Sequence, residues 1–161
     1  MKLYFIDREQ ELEFLENRYK NGNFEFIIIY GKRRVGKTEL IKKFLAGKKH
    51  IYFLCDKSGT ERNFVRFKNK VAEYLNEPTI ETNDPEEVFK NLAMKSKEKS
   101  VIVFDEFSYL VEKDSSIPSI FQVAIDEILK NTNHVLILCG SSISMMEKGT
   151  LSYKSPLYGR K

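Results

Sequence analysis

The chain has 161 residues, of which 42% are apolar and 31% charged, and its formal net charge is +4 at pH 7. This composition is typical of a globular domain and excludes a disordered or fibrous chain. The opening residues lack the sustained apolar run of a secretory signal, and no apolar run approaches the roughly 20 residues of a membrane-spanning helix. We therefore expect a single domain at 1–161, a cytoplasmic location and no membrane contact.

The cysteines and histidines do not form a ligand pattern. Cys55 and Cys139 each end an apolar run and stand far apart, without the C-x-x-C spacing of a zinc or redox site. His50 and His134 are isolated as well. We expect two buried, reduced thiols and assign neither histidine to catalysis.

The hydrophobic pattern predicts helices that alternate with buried strands. The first predicted element is a helix that begins after Asp7, with Gln10 at the capping-box position, and ends at Gly22. Strands are predicted at 24–30, 51–55, 101–104 and 135–139, and further helices begin at 37, near 64, at 85, at 117 and near 143. Asp84 is expected to cap the helix at 85. This alternation implies a parallel sheet with right-handed crossovers.

A glycine-rich loop lies between the strand at 24–30 and the next helix. Residues 31–38 read GKRRVGKT, which matches G-x-x-x-x-G-K-[ST] at every fixed position. The glycines let backbone N–H groups turn toward phosphate oxygens, and the helix N-terminus adds partial positive charge. Lys37 is expected to reach the β and γ phosphates, and the Thr38 hydroxyl to bind Mg²⁺. The predicted nucleotide-binding residues here are Gly31, Lys32, Arg33, Arg34, Val35, Gly36, Lys37, Thr38 and Glu39.

Two carboxylates end the third predicted strand. Residues 101–106 read VIVFDE, and open α/β sheets bind their ligands at the carboxyl ends of strands. Asp105 is predicted to hold the Mg²⁺ shell through water, and Glu106 to orient and polarise the water that attacks the γ-phosphate. By itself, an apolar run that ends in Asp-Glu is a weak sign of a nucleotide site. Together with a matching phosphate loop, it becomes a strong one. Lys37 and Glu106 are therefore predicted to be catalytic.

Two further catalytic candidates lie late in the chain. The fourth strand ends in CGSS at 139–142, where Ser141 either contacts the γ-phosphate or the attacking water, or caps a turn. Arg160 follows a glycine, and its guanidinium is a candidate for stabilising the transferring phosphoryl group, in the same molecule or in a neighbour.

Taken in order, these motifs resemble the archaeal ATPase family within the STAND branch of P-loop ATPases, relatives of the AAA+ proteins. The segments concerned are FIDRE at 5–9, YGKRRVGKT at 30–38, FDE at 104–106, CGSS at 139–142 and PLYGR at 156–160. The resemblance covers essentially the whole chain. It implies that Phe5, Ile6 and Arg8 lie on the adenine side of the pocket. Family members usually continue into a helical lid and a C-terminal domain, so we expect a chain that is truncated before them.

The expected fold is α/β: a P-loop NTPase three-layer sandwich with a mainly parallel sheet and an additional strand between the phosphate-loop strand and the Asp-Glu strand. The expected function is to bind ATP with Mg²⁺ and hydrolyse it to ADP and phosphate as a conformational switch. One alternative is a nucleotide-binding regulatory module with negligible turnover. Another is a nucleic-acid-associated NTPase, suggested by the basic residues at 32–49, although a solvated helix face explains most of them better. A homo-oligomer or a partner protein is compatible with each.

Two enzymatic rivals are disfavoured. Residues 56–59 read DKSG, the D-x-x-G pattern of GTPases, but no N-K-x-D motif for reading guanine occurs in the sequence. A small-molecule kinase usually begins at its phosphate loop, whereas here a predicted helix precedes the loop. The carboxylates of Asp105 and Glu106 also suit water as the nucleophile.

Overall fold

The computed structural model describes residues 2–4, 8–31 and 36–146. The strands in these ranges are β1 (Lys2–Tyr4), β2 (Glu25–Tyr30), β3 (His50–Leu54), β4 (Val101–Asp105) and β5 (Val135–Gly140). The helices are α1 (Arg8–Lys20), α2 (Lys37–Leu45), α3 (Thr60–Tyr74), α4 (Pro85–Lys95), α5 (Ser108–Lys113), α6 (Ile117–Val123) and α7 (Ile143–Met146). After α6 the chain continues through a π-helical turn, Ala124–Ile128, and a 3₁₀ turn, Leu129–Asn131.

The strands form one sheet in the order β1-β2-β5-β4-β3, and the pairings between them are parallel. β5 lies between β2 and β4, as predicted for the additional strand between the two motif-bearing strands. Tyr30 of β2 pairs with Gly140 of β5, and Leu54 of β3 pairs with Asp105 of β4. The carboxyl ends of these four strands therefore meet at one edge of the sheet.

Helices cover both faces of the sheet because alternate strand residues are buried on opposite sides. One face carries α1 and α2, which bury Leu15, Leu40, Ile41, Phe44 and Leu45 against Ile27, Ile29, Val103, Ile137 and Cys139, among others. The other face carries α3 to α6, with a cluster of aromatic rings from Phe53, Phe64, Phe67, Phe89, Phe104, Phe107 and Phe121. These two cores confirm the predicted three-layer α/β sandwich.

The structure corrects the predicted element list in three places. The first element is β1 rather than a helix, and it adds a fifth strand beside β2, with Leu3 opposite Ile29. The short helix α5 follows β4 directly, where no helix was predicted. The helix predicted from residue 117 onward is α-helical only as far as Val123. A three-residue strand and a change of helical period are too short to give a hydrophobic pattern.

Several local predictions are confirmed. The Asp84 side chain accepts a hydrogen bond from the Glu86 backbone N–H at 3.1 Å and caps α4. Cys55 and Cys139 are free and buried. His134 is buried, and its Nδ1 accepts a hydrogen bond from the Ser100 backbone N–H at 3.0 Å. The predicted cap Asp7 lies outside the described residues. None of the described helices has the length and apolar character needed to cross a membrane.

Gly140 ends β5 at a place where neighbouring side chains leave no room for a methyl group. A Cβ there would lie 2.6 Å from Met146 Sδ and 3.0 Å from Ser108 Oγ, and both of these residues are buried. We expect Gly140→Ala to lower the free energy of unfolding by about 1–3 kcal/mol in urea denaturation. Gly22→Ala is the control, because no atom in the described part of the chain lies within 4 Å of the added Cβ. Equal stability of the two variants would contradict this packing argument.

Candidate functional site

The two predicted motifs meet at the carboxyl edge of the sheet. β2 ends at Tyr30, α2 begins at Lys37, and β4 ends at Asp105. The Thr38 hydroxyl donates a hydrogen bond to Asp105 Oδ2 at 3.1 Å, although 67 positions separate the two residues in the chain. The fold therefore brings the end of the phosphate loop against the first of the two carboxylates.

Lys37 is held at the start of α2. It is buried, with 7% of its surface exposed, and its Nζ donates a hydrogen bond to the Gly31 carbonyl oxygen at 2.9 Å. Gly36, which precedes it, has a φ of 82°, in the left-handed region that favours glycine. A buried ammonium group beside a helix N-terminus suits an anionic ligand, since both attract negative charge.

Asp105 is a buried carboxylate surrounded by hydrogen-bond donors. Only 2% of its surface is exposed. The hydroxyls of Thr38 and Tyr52 both donate to Oδ2, and the Glu106 backbone N–H donates to Oδ1 at 2.8 Å. The Cys139 thiol lies near enough to Asp105 for the charge of the carboxylate to act on it. Several donors at one carboxylate compensate for its removal from water.

The surroundings of Asp105 also decide the protonation of two neighbouring groups, the Tyr52 phenol and the Cys139 thiol. Burial, and then the hydrogen bond and charge of Asp105, raise the pKa of the Tyr52 phenol above its ordinary value. Burial and the Asp105 charge likewise raise the pKa of the Cys139 thiol, while the nearby charge of Lys37 lowers it. Both groups therefore keep their protons at neutral pH, and the Tyr52 hydroxyl remains a donor to Asp105.

Glu106 lies on a tight turn directly after β4. Its φ of 56° lies in the left-handed region, which is uncommon for residues other than glycine and tends to occur at functional sites. The Phe107 backbone N–H donates to the Cys139 carbonyl oxygen at 2.8 Å, which ties the turn to β5. The Ser141 hydroxyl donates to Glu106 Oε2 at 3.3 Å. Ser141 and Glu106, both predicted from the sequence, are therefore neighbours.

Other predicted site residues cannot be placed in this geometry. Glu39 lies in the first turn of α2 and is exposed. Arg8 begins α1, but its side chain is outside the described part of the chain. The remaining predicted residues lie outside the described ranges: Phe5, Ile6, Lys32, Arg33, Arg34, Val35 and Arg160. Their roles stay predictions.

Tyr52 is the residue of this site that the sequence reasoning missed, because a tyrosine in a strand is an ordinary strand former. The useful signal is the strand register. Tyr52 lies opposite Val103 in the parallel pair of β3 and β4, and Asp105 is two residues further along β4. Residues two apart on a strand share a face, so the order of the strands is enough to place Tyr52 near Asp105.

The family follows from comparison with known proteins. Residues 5–161 match the family model of an ATPase domain that occurs predominantly in Archaea. The chain belongs to this family. The predicted archaeal ATPase family is therefore confirmed, while its placement in the STAND branch stays a prediction.

Two relatives of this archaeal ATPase domain come from Methanocaldococcus jannaschii. An uncharacterized protein is 46% identical over 158 residues, which are 98% of this chain and 34% of that protein. An uncharacterized ATP-binding protein is 58% identical over 45 residues, which are 28% of this chain and 76% of that protein. The chain thus spans about a third of the length of the first relative.

Solved structures share the fold. The Walker-type ATPase PABY2304 of Pyrococcus abyssi has a TM-score of 0.61 at 21% identity, covering 95% of this chain and 51% of that one. Cdc6p of Pyrobaculum aerophilum has a TM-score of 0.63 at 17% identity, covering 89% and 41%. The Orc1 protein of Aeropyrum pernix has a TM-score of 0.64 at 18% identity, covering 94% and 42%. These likenesses show that the domain has the α/β fold of P-loop ATPases.

Proposed function

We propose that this archaeal ATPase domain binds ATP with Mg²⁺ at the carboxyl edge of its sheet and hydrolyses it to ADP and phosphate. Family membership supports nucleotide binding and ATPase activity in general. The observation that carries the proposal is the hydrogen bond from Thr38 to Asp105, because it joins the phosphate-loop motif to the Asp-Glu strand. Glu106 then lies next to a residue that contacts the phosphate loop.

The oxygen atoms at this junction suit Mg²⁺. The ion prefers oxygen ligands, and it usually takes one or two from the protein and the rest from phosphates and water. Thr38 Oγ1 and Asp105 Oδ2 lie 3.1 Å apart. Thr38 would hold the ion directly and Asp105 through its water shell. When bound, Mg²⁺ neutralises charge that develops on the phosphate oxygens.

Three side chains have separate roles in the proposed hydrolysis: Lys37, Glu106 and Ser141. Lys37 attracts the β and γ phosphates to the start of α2. The oxygen of a water molecule attacks the γ-phosphorus, and the bond from that phosphorus to the β–γ bridging oxygen breaks, leaving its electron pair on ADP. The Glu106 carboxylate accepts the proton of the attacking water. Ser141 orients Glu106 through its hydroxyl, and contact with the γ-phosphate is its second proposed role.

We also propose that hydrolysis drives a conformational switch. The Ser141 contact and the bond from Phe107 N–H to the Cys139 carbonyl connect Glu106 to the end of β5. Any movement of Glu106 with the γ-phosphate is therefore transmitted to the segment that follows β5. Arg160 is proposed to stabilise the transferring phosphoryl group, in the same molecule or in a neighbouring copy. Assembly and partners of the whole protein are likewise proposals, given the share of its relative that the chain spans.

The domain should prefer ATP to GTP, because its sequence has no N-K-x-D motif to read guanine. The aspartate of its D-x-x-G pattern, Asp56, contacts neighbouring residues of the chain instead. Asp56 forms an ion pair with Arg66 at 2.9 Å and accepts a hydrogen bond from the Ser58 backbone N–H. The test is displacement of a fluorescent ATP analogue in the presence of Mg²⁺. ATP should displace the analogue at concentrations at least about tenfold lower than GTP, a difference of roughly 1.4 kcal/mol. Equal displacement by the two nucleotides would contradict the base preference.

A nucleotide-binding module with negligible turnover is the second candidate. The hydrogen bond from Ser141 favours it, because it engages Glu106 Oε2, an oxygen that the attacking water would otherwise use. Tight ATP binding without release of phosphate would support this candidate over hydrolysis.

A nucleic-acid-associated NTPase is a further candidate. The Orc1 protein of Aeropyrum pernix was solved in complex with DNA, and this chain carries a net charge of +4. Phosphate-backbone binding weakens with salt, with a slope of about −0.9 per neutralised phosphate on a double-logarithmic plot for B-DNA. Titration of duplex DNA at several salt concentrations tests this candidate, and the absence of salt-dependent binding would remove it.

A further inference from the structure

Tyr52 reaches the candidate site from the outer strand β3. It lies opposite Val103, and its side chain faces the same side of the sheet as Asp105. Its ring packs against the core beneath α1 and α2. The hydroxyl group at the end of this ring therefore arrives at Asp105 from the direction opposite to β5.

Tyr52 and Thr38 donate to the same oxygen atom, Asp105 Oδ2. A carboxylate oxygen offers two lone pairs, so two donors can occupy it together. The other oxygen, Oδ1, accepts the Glu106 N–H at 2.8 Å. The rotation of the carboxylate is thus fixed from three sides: the strand β3, the helix α2 and the turn after β4.

We propose that Tyr52 is a positioning residue that sets the affinity of the site for Mg²⁺. The inference rests on the proposed function, in which Thr38 binds the ion and Asp105 holds its water shell. With Oδ2 anchored by the Tyr52 hydroxyl, the Thr38 hydroxyl keeps its proton directed at Asp105 and its lone pairs available to the ion. Groups that orient metal-binding side chains in this way commonly change metal affinity by about 10–100-fold.

Tyr52→Phe is the informative variant because it removes the hydroxyl and retains the ring that packs against the core. The experiment measures binding of a non-hydrolysable ATP analogue while Mg²⁺ is titrated, and repeats the binding measurement in EDTA. We expect the Mg²⁺ concentration at half-maximal binding to rise about tenfold. The affinity in EDTA should change little, because no metal is then held at the site. The unfolding temperature of the metal-free chain should fall, because the buried Asp105 carboxylate loses one of its donors.

Tyr74→Phe is the matched control. Tyr74 is also a partly buried tyrosine whose hydroxyl is hydrogen-bonded to a side chain, here Ser100 Oγ. Ser100 immediately precedes β4, at the opposite end of that strand from Asp105. Tyr74→Phe should therefore leave the Mg²⁺ midpoint at the wild-type value, whatever it does to stability.

The outcomes separate this inference from the proposed function. If the wild-type chain binds the analogue in a Mg²⁺-dependent way but Tyr52→Phe has an unchanged or lower midpoint, the inference is overturned and the proposed function stands. If Mg²⁺ has no effect on binding by the wild-type chain, the proposed function fails, and the role of Tyr52 fails with it.

Discussion

Lys37→Ala is expected to weaken ATP binding by roughly 10–150-fold, which corresponds to the loss of about 1.5–3 kcal/mol from a hydrogen bond to a charged group. The ammonium group is buried at the start of α2, where the proposed triphosphate lies. Stability should fall much less, because alanine is the best helix former. Within the folded chain, the substitution removes the hydrogen bond from Nζ to the Gly31 carbonyl oxygen. Isothermal titration with ATP and Mg²⁺ measures the affinity, and urea denaturation measures the stability.

Lys42→Ala is the control for this variant. Lys42 lies on the same helix and is exposed, so the variant removes one positive charge from α2 without touching the site. Its ATP affinity should stay within about fivefold of the wild type, since an exposed charge contributes at most about 1 kcal/mol and is screened by salt. Unchanged ATP affinity in a folded Lys37→Ala chain would refute the assignment of the phosphate loop.

Glu106→Gln is expected to keep ATP and Mg²⁺ binding and to lose hydrolysis. The amide has the shape of the carboxylate but cannot accept a proton from the attacking water, and general acid–base catalysis contributes about 10²–10⁴-fold in rate. The backbone turn should survive, because the left-handed φ of 56° is no more strained for glutamine than for glutamate. Steady-state phosphate release measures the rate, and titration with ATP and Mg²⁺ measures the retained affinity.

Glu112→Gln is the corresponding control, since it makes the same chemical change at an exposed position on α5. Its turnover should equal that of the wild type. If Glu106→Gln also hydrolyses ATP at the wild-type rate, Glu106 is only a polar residue at the end of a strand, and the proposed proton acceptor is wrong.

The sequence predicted the parts of the fold that repeat a pattern over several residues. β2, β4 and β5 are buried on both faces, so each is a continuous apolar run. β1 could not be predicted, because three residues cannot show a period and the strand forms by backbone pairing with β2. The same reason applies to the π-helical turn after α6, whose residues continue the apolar pattern of the helix before it.

Some residues of the candidate site could also be predicted from the sequence, and one could not. The phosphate-loop motif can be read from the sequence because phosphate binding there depends on backbone N–H groups and a lysine at fixed spacing. Asp105 can be read because it ends a buried strand before a second carboxylate. Tyr52 could not, since its contact with Asp105 depends on β3 lying beside β4 in the sheet. A motif records local geometry, whereas a contact between strands depends on topology.

The most direct test of the proposed ATPase is a single-turnover measurement, with the chain in excess over radiolabelled ATP and Mg²⁺ present or chelated. Wild-type protein should convert the bound ATP to ADP and phosphate only when Mg²⁺ is present, and Glu106→Gln, purified in the same way, should bind the ATP and leave it intact. This pairing excludes a contaminating ATPase, which would act in both preparations. Complete retention of bound ATP by the wild-type chain, or equal phosphate release by the two proteins, would contradict hydrolysis at this site.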